Sequence, residues 1–153
     1  MTTIFEHIIA GDLPAAFVHV DEACVAFMDI SPMSPGHVLV VPRLAVATLE
    51  ELDAATRAHL LDVAVRVGAG QRRALGSVAQ HLLVNDGKGA SQTVPHVHLH
   101  VVPRYPGEML KTVGHIIWHV ASLTFPKKVS ERRRRELAGQ AQAIRQAMEA
   151  AHG

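Results

Sequence analysis

The chain is poor in several things on which a function could rest. A single cysteine, Cys24, stands among 153 residues, which excludes an internal disulfide and a metal site built from thiolates alone. Its place in an apolar run makes it read as a plain buried residue. Aromatic residues are 4% of the chain, with one tryptophan and one tyrosine, and the formal net charge is +1 with histidines neutral. Without a basic excess or interleaved aromatics, the chain lacks the marks of a nucleic-acid binder. The arginine run Arg132 to Arg135 accordingly reads as a solvated helix face. No apolar run approaches the length of a membrane span, and no membrane partner is expected. Residues 1–14 carry Glu6 and Asp12 and show neither a basic start nor a small-residue cleavage site, so a cytoplasmic location is expected. Repeats, low-complexity tracts and long linkers are also missing. With 48% hydrophobic content, 1–153 reads as one globular domain.

What the chain does have is histidine. Three of its 11 stand at alternate positions in His96-Val97-His98-Leu99-His100-Val101-Val102. On a strand this spacing puts the three imidazoles on one face and Val97, Leu99 and Val101 on the other. Imidazole serves near neutral pH as acid, base, nucleophile or metal ligand. A solvated edge strand is the plainer reading for one or two such residues. Three in a row beside a glycine-containing loop favour a polar ligand in front of them. Residues two apart lie roughly 6.5–7 Å from each other along a strand, so three would converge poorly on one metal. The spacing favours direct chemistry over metal ligation.

Around this row the chain reads as short strands and three helical stretches. Phe5 to Ala10 forms a short helix or turn closed by Gly11. Phe17 to Val20, Cys24 to Asp29, His37 to Val41, Leu82 to Asn85 and His96 to Val102 read as strands. Ser31 to Gly36 is a proline-broken loop. Thr48 and Glu51 have the form of a capping box before a long helix starting near Leu49 or Asp53. Its apolar stripe is Leu60, Leu61, Ala64, Val67 and Leu75, weakened by Gly68 and Gly70. After Pro103 the pattern is irregular around Trp118, until Ser130 caps a last helix to about Ala150. That helix shows an apolar face of Leu137, Ala141, Ile144 and Met148. Adjacent strands with short turns predict an antiparallel sheet with helices on one side, an α+β domain.

Three further features gain weight from the histidine row. The loop from Asn85 through Gly87, Ser91 and Gln92 to Thr93 offers backbone and side-chain donors suited to phosphate oxygens, although such loops are usually only turns. Asp29 ends a strand where a carboxylate could accept two ribose hydroxyls, with Ile30 and Phe5 as apolar cover for a base; a turn cap is its plainer role. His37 is evenly balanced between a hydrogen-bonded core histidine and support for the row. His7, His19, His59, His81, His115, His119 and His152 have no supporting constellation and read as structural or surface residues.

Together these pieces resemble the histidine-triad (HIT) family. The matching stretches, in family order, are Ile4-Phe5 with Ile8-Ile9, Ala26 to Pro32, Pro35 to Pro42, Val84-Asn85, Gln92 to Val94, and the triad itself. The resemblance implies a HIT-like α+β fold with a mainly antiparallel five-stranded sheet, a long central helix, a short N-terminal helix and a C-terminal helix. The core would be 3–104 and the extension 105–153. It implies His98 as nucleophile on the α-phosphorus of a purine nucleotide and His100 as hydrogen-bond donor to phosphate and leaving group. His96 would orient the nucleophile, with His37 behind the row. Ile4, Phe5, Ile30 and Leu39 would line the base pocket, Asp29 would hold the ribose, and Asn85, Ser91, Gln92 and Thr93 would lie near the phosphate. The implied reaction is hydrolysis of a dinucleoside polyphosphate through a nucleotidyl-histidine. Nucleoside phosphoramidate hydrolysis, and nucleotide sensing with little turnover, are the alternatives; a metal-dependent use of the histidine row is a further rival. A homodimer through the long helix and adjoining sheet edge is implied, without a cofactor. Some relatives hold zinc through an N-terminal Cys-x-x-Cys, a later histidine and a triad histidine. Here Thr3, Glu6 and Ala45 occupy those places, so no structural zinc is implied. Ser91 replaces a frequent glycine, and Pro103 to Lys111 resemble bacterial members.

Overall fold

Five apolar runs pair into one antiparallel sheet in the computed structural model, which describes residues 2–108 and 129–151. The strands are β1 (Phe17–Val20), β2 (Cys24–Met28), β3 (Val38–Pro42), β4 (Ala79–Val84) and β5 (Leu99–Arg104), in the spatial order β1-β2-β3-β5-β4. The α-helices among the described residues are α1 (Ile4–Ala10), α2 (Ala54–Leu75) and α3 (Glu131–Glu149). The expected α+β architecture is therefore present. Because α2 carries the chain from β3 to the far edge, β5 can return between β3 and β4.

Alternation along the strands splits the interior into two cores. Cys24, Ala26 and Met28 of β2 join Leu60, Val63, Ala64 and Val67 of α2 and Leu137, Ala141, Ile144 and Met148 of α3. Val25 and Phe27 instead join Phe5 of α1, Leu39 and Val41 on the opposite face. Helices on one side thus describes α2 and α3 but not α1. The α3 stripe is the one the spacing predicts. In α2, Leu60, Ala64 and Val67 are buried as the spacing predicts, Val63 joins them, and Leu61 lies half exposed.

Sequence capping fixes the helix ends. Thr3 Oγ1 accepts from the Glu6 N–H while Glu6 accepts from the Thr3 N–H, and Gly11 ends α1 at φ 86°. Asp53 caps α2 and Ser130 caps α3. Thr48 and Glu51 do pair, but around a single 3₁₀ turn at Leu49–Glu51, and α2 starts only after Asp53. Gly70 does not weaken α2 in its setting. A Cβ there would lie 2.8 Å from Met148 Cγ and 3.0 Å from the Ile144 carbonyl oxygen, so glycine permits the close approach of α3.

Strand limits shift by one residue in β2 and β3 and by more in β4 and β5. β4 runs from Ala79 to Val84, and β5 begins only at Leu99, which leaves His96 and His98 ahead of the strand. The reason is local: the Val97 N–H bonds to the Val46 carbonyl and the His96 N–H to the Val94 carbonyl, not to the sheet ladder. Trp118, His115, His119, His152 and the end of the Pro103 to Lys111 stretch lie outside the described residues. Among the described residues, no helix is long and apolar enough to cross a membrane.

Candidate functional site

Register builds the site. Across the sheet Phe17 faces Phe27, Phe27 faces Leu39, Leu39 faces His100, and His100 faces Leu83. His100 is thus the polar member of an otherwise apolar row. The Phe5 ring lies edge-on to His98 at 5.1 Å and to His96 at 5.8 Å, and the His98 and His100 rings are 4.9 Å apart. The three imidazoles do share the α1 side, while Val97, Leu99 and Val101 enter the α2 core. Alternation survives even where the ladder does not.

Hydrogen bonding gives the three rings different work. The His98 Nδ1–H donates to the His96 carbonyl at 2.8 Å. A carbonyl only accepts, so the His98 proton sits on Nδ1 and Nε2 keeps its lone pair. Burial holds this ring below the ordinary imidazole pKa, which favours its neutral form. His96 is fully buried, donates from Nε2 to the Pro42 carbonyl at 2.8 Å, and meets Thr3 Oγ1 through Nδ1 at 3.1 Å. Both its nitrogens are committed to the fold. Burial lowers its pKa as well.

Behind His100 stands His37, also fully buried. The Met33 N–H donates to His37 Nδ1 at 3.2 Å, so His37 donates from Nε2 to His100 Nδ1 at 3.0 Å. His100 then carries its own proton on Nε2. Asp29 Oδ2 lies 3.3 Å from His37 Nδ1. The other Asp29 oxygen accepts from the Ser31 N–H at 2.8 Å. Asp29 therefore does the plainer capping work and lies beside His37 too. The Ser31 to Gly36 loop is pinned from two sides: Ser34 Oγ donates to the Pro103 carbonyl, and the buried Gln71 amide donates to the Gly36 and Val101 carbonyls.

The remaining expected residues divide by exposure. Leu39 and Phe5 are buried beside the rings, while Ile4 and Ile30 are about half exposed. Asn85 is partly buried; Ser91 and Thr93 are exposed. The Gln92 amide braces its loop, accepting from the Gly87 N–H at 3.2 Å and donating to the Ala47 carbonyl at 2.7 Å. Ser91 is left-handed at φ 65°, unlike any other non-glycine residue described. At the three places where some relatives carry zinc ligands, this chain does not fit the ion. Thr3 is spent on His96 and on capping α1, Glu6 holds the Thr3 N–H, and Ala45 has no ligand.

A second cluster of titratable side chains gathers around Asp21. His19 Nε2 and His59 Nε2 both reach Asp21 Oδ2, at 2.6 and 2.7 Å, with Cys24 Sγ 3.8 Å from the same oxygen. His19 and His59 are therefore not without a constellation. A register shift between Phe17 and His19 frees His19 from the strict alternation that would hold it on the face of Phe17. No periodicity in the sequence signals this bulge. Burial and the Asp21 charge push the Cys24 thiol pKa up to about 12, so Cys24 is no reactive nucleophile. A cleft of about 650 Å³ between β1, α2 and α3 is lined by Phe17, Val20, Arg66 and Arg145 among others, and contains none of the triad. Chemistry marks the site here better than volume does.

A HIT domain family model matches residues 10–107. The adenosine 5'-monophosphoramidase hnt1 of Schizosaccharomyces pombe is 36% identical over 104 residues, 68% of this chain and 75% of that protein. The adenylylsulfatase HINT3 of Arabidopsis thaliana is 32% identical over 128 residues, 84% of this chain and 64% of that protein. A zinc-bound histidine triad family protein from Mycobacterium smegmatis has a similar crystal structure, with a TM-score of 0.78 at 31% identity, covering 99% of this chain and 96% of that one.

Proposed function

Since this chain belongs to the HIT domain family, we propose that it is a nucleotide hydrolase acting at the α-phosphorus of a purine nucleotide, with His98 as nucleophile. The observation that carries this reading is the His98 Nδ1 bond to the His96 carbonyl, which leaves a neutral ring with Nε2 available for attack. In the first step Nε2 forms a bond to phosphorus and the bond to the leaving group breaks. His100, holding a proton on Nε2 through the His37 relay, donates to the phosphoryl oxygens and to the departing atom. Water then attacks the phosphorus and gives one proton to solvent, the P–N bond breaks to release the nucleoside monophosphate, and His98 returns to its neutral starting state. Phe5, Leu39, Ile4 and Ile30 form the apolar cover of the base. Asp29 binds the ribose with the lone pairs that Ser31 does not use. Asn85, Ser91 and Thr93 lie near the phosphate, with Gln92 holding their loop.

A dinucleoside polyphosphate is the proposed substrate. A phosphoramidate is the second reading, favoured by the likeness to a monophosphoramidase. The exposed apolar residues Leu61 and Val65 on α2, with Val78 beside β4 and Leu82 and Leu83 on that edge strand, support a homodimer along this side of the sheet. The test is a panel of diadenosine tetraphosphate and adenosine phosphoramidate assayed with wild type and His98→Asn. Wild type should release AMP and yield a nucleotidylated chain by intact mass after alkaline quenching. A His98→Asn protein with undiminished turnover would refute the proposal.

A further inference from the structure

We infer that His19, Asp21, Cys24 and His59 form a binding site for one transition-metal ion of the zinc class. The four donor atoms come from β1, the β1–β2 turn, β2 and α2, and all lie within 4.8 Å of one another. Two imidazole nitrogens, a carboxylate oxygen and a sulfur make a set that borderline ions such as zinc prefer; calcium and magnesium take oxygen ligands. Tetrahedral zinc, with bonds of about 2.0–2.3 Å, needs ligand atoms roughly 3.3–3.7 Å apart. Asp21 Oδ2 now sits 2.6 and 2.7 Å from the two nitrogens and 3.8 Å from the sulfur. These three separations reach that range with shifts of about 1 Å or less, and the other three lie within 4.8 Å.

The supporting frame is already built. Asp21 Oδ1 accepts from the Ala23 and Cys24 N–H groups at 2.8 and 2.7 Å, which aims Oδ2 at the histidines. Arg43 Nε donates to the Asp21 carbonyl at 2.7 Å. The side chains of His19, Asp21 and His59 remain partly exposed, which gives an ion a way in. Charge balances as well. Each neutral imidazole moves its proton from Nε2 to Nδ1, the Cys24 thiol releases one proton to solvent, and the dication meets two single negative charges. The product is a neutral centre at the border of the core, tying the β1–β2 hairpin to α2. His19 faces Ala26 across the strands, and Ala26 and Cys24 belong to the α2 side, whereas the triad lies on the α1 side. The inference therefore stands apart from the proposed reaction.

Zinc chloride titrated into the full chain, after chelator treatment and dialysis, supplies the test. Calorimetry should give one ion per chain, and zinc should raise the melting temperature. Cobalt(II) should give a thiolate-to-metal charge-transfer band that Cys24→Ser removes. His59→Gln, at a partly exposed helix position that tolerates the change, and His19→Ala should each weaken zinc binding at least about tenfold. His100→Asn should leave it unchanged. Three results overturn the inference: no saturable zinc binding, binding untouched by both His59→Gln and His19→Ala, or binding lost in His100→Asn. The last would move the ion to the other cluster of possible ligands, Asp29, His37 and His100.

Discussion

Replacing His96 with leucine separates the two ways in which a triad histidine can matter. The His96 ring is fully buried and spends both nitrogens on the fold, one on the Pro42 carbonyl and one on Thr3 at the head of α1. Leucine fills a similar volume but leaves the Pro42 carbonyl without that donor. An unpaired buried carbonyl costs about 1–3 kcal/mol, and the loss of the Thr3 contact adds to it. Extra apolar contact with Phe5 offsets part of this, so a net loss of about 2 kcal/mol is expected. For a chain of this size that corresponds to a fall in Tm of roughly 4–8 °C. Catalysis should suffer far less. The group that fixes His98 is the backbone carbonyl of residue 96, which any side chain retains. Thus kcat/KM should fall by less than about tenfold in His96→Leu, against at least about a thousandfold in His98→Asn. Thermal melts and steady-state kinetics on the two variants decide the matter. A His96→Leu protein as stable as wild type, yet as inactive as His98→Asn, would show that the ring itself enters the chemistry and would refute this division of labour.

Three other outcomes follow from the same geometry. Burial depresses the pKa of His98, so the acid limb of kcat/KM should fall below the ordinary imidazole value of about 6.5. His96 is depressed for the same reason, so the unfolded chain binds more protons than the native one once pH drops through about 6.5. Stability from both rings is intact above that pH and is lost progressively below it; urea melts over that window should show the slope, and His96→Leu should reduce it. Ser91→Gly removes a side chain from a left-handed position, a gain of about 1 kcal/mol that glycine's greater unfolded-state freedom largely cancels. Its Tm should stay within a few degrees while the ratio of kcat/KM between polyphosphate and phosphoramidate substrates shifts; an unchanged ratio would separate Ser91 from specificity. Val65→Asp or Leu83→Lys should convert a dimer to a folded monomer by light scattering, and a wild-type monomer would defeat the proposed interface.

Periodicity made much of this molecule legible because it fixes which way side chains point. The alternation through 97–101 assigned Val97, Leu99 and Val101 to the core and the imidazoles to the opposite face, even though β5 starts only at Leu99. The same logic placed Leu137, Ala141, Ile144 and Met148 against the sheet. Direction, however, is not partnership. Nothing in the spacing of His96, His98 and His100 tells that one ring is consumed by Pro42 and Thr3, a second is oriented by a carbonyl, and a third is fed by His37. These roles depend on what each nitrogen meets, and the partners lie up to 93 residues away. His19 is the sharper case, since a single bulge cancels the strand alternation and brings it beside His59, 38 residues beyond Asp21. A histidine's chemistry is decided by its tautomer, and the tautomer by its acceptor. The middle residue of the triad is therefore set apart by the Nδ1 contact with a carbonyl, and an Nε2 contact there instead would tie up the nitrogen proposed to attack phosphorus.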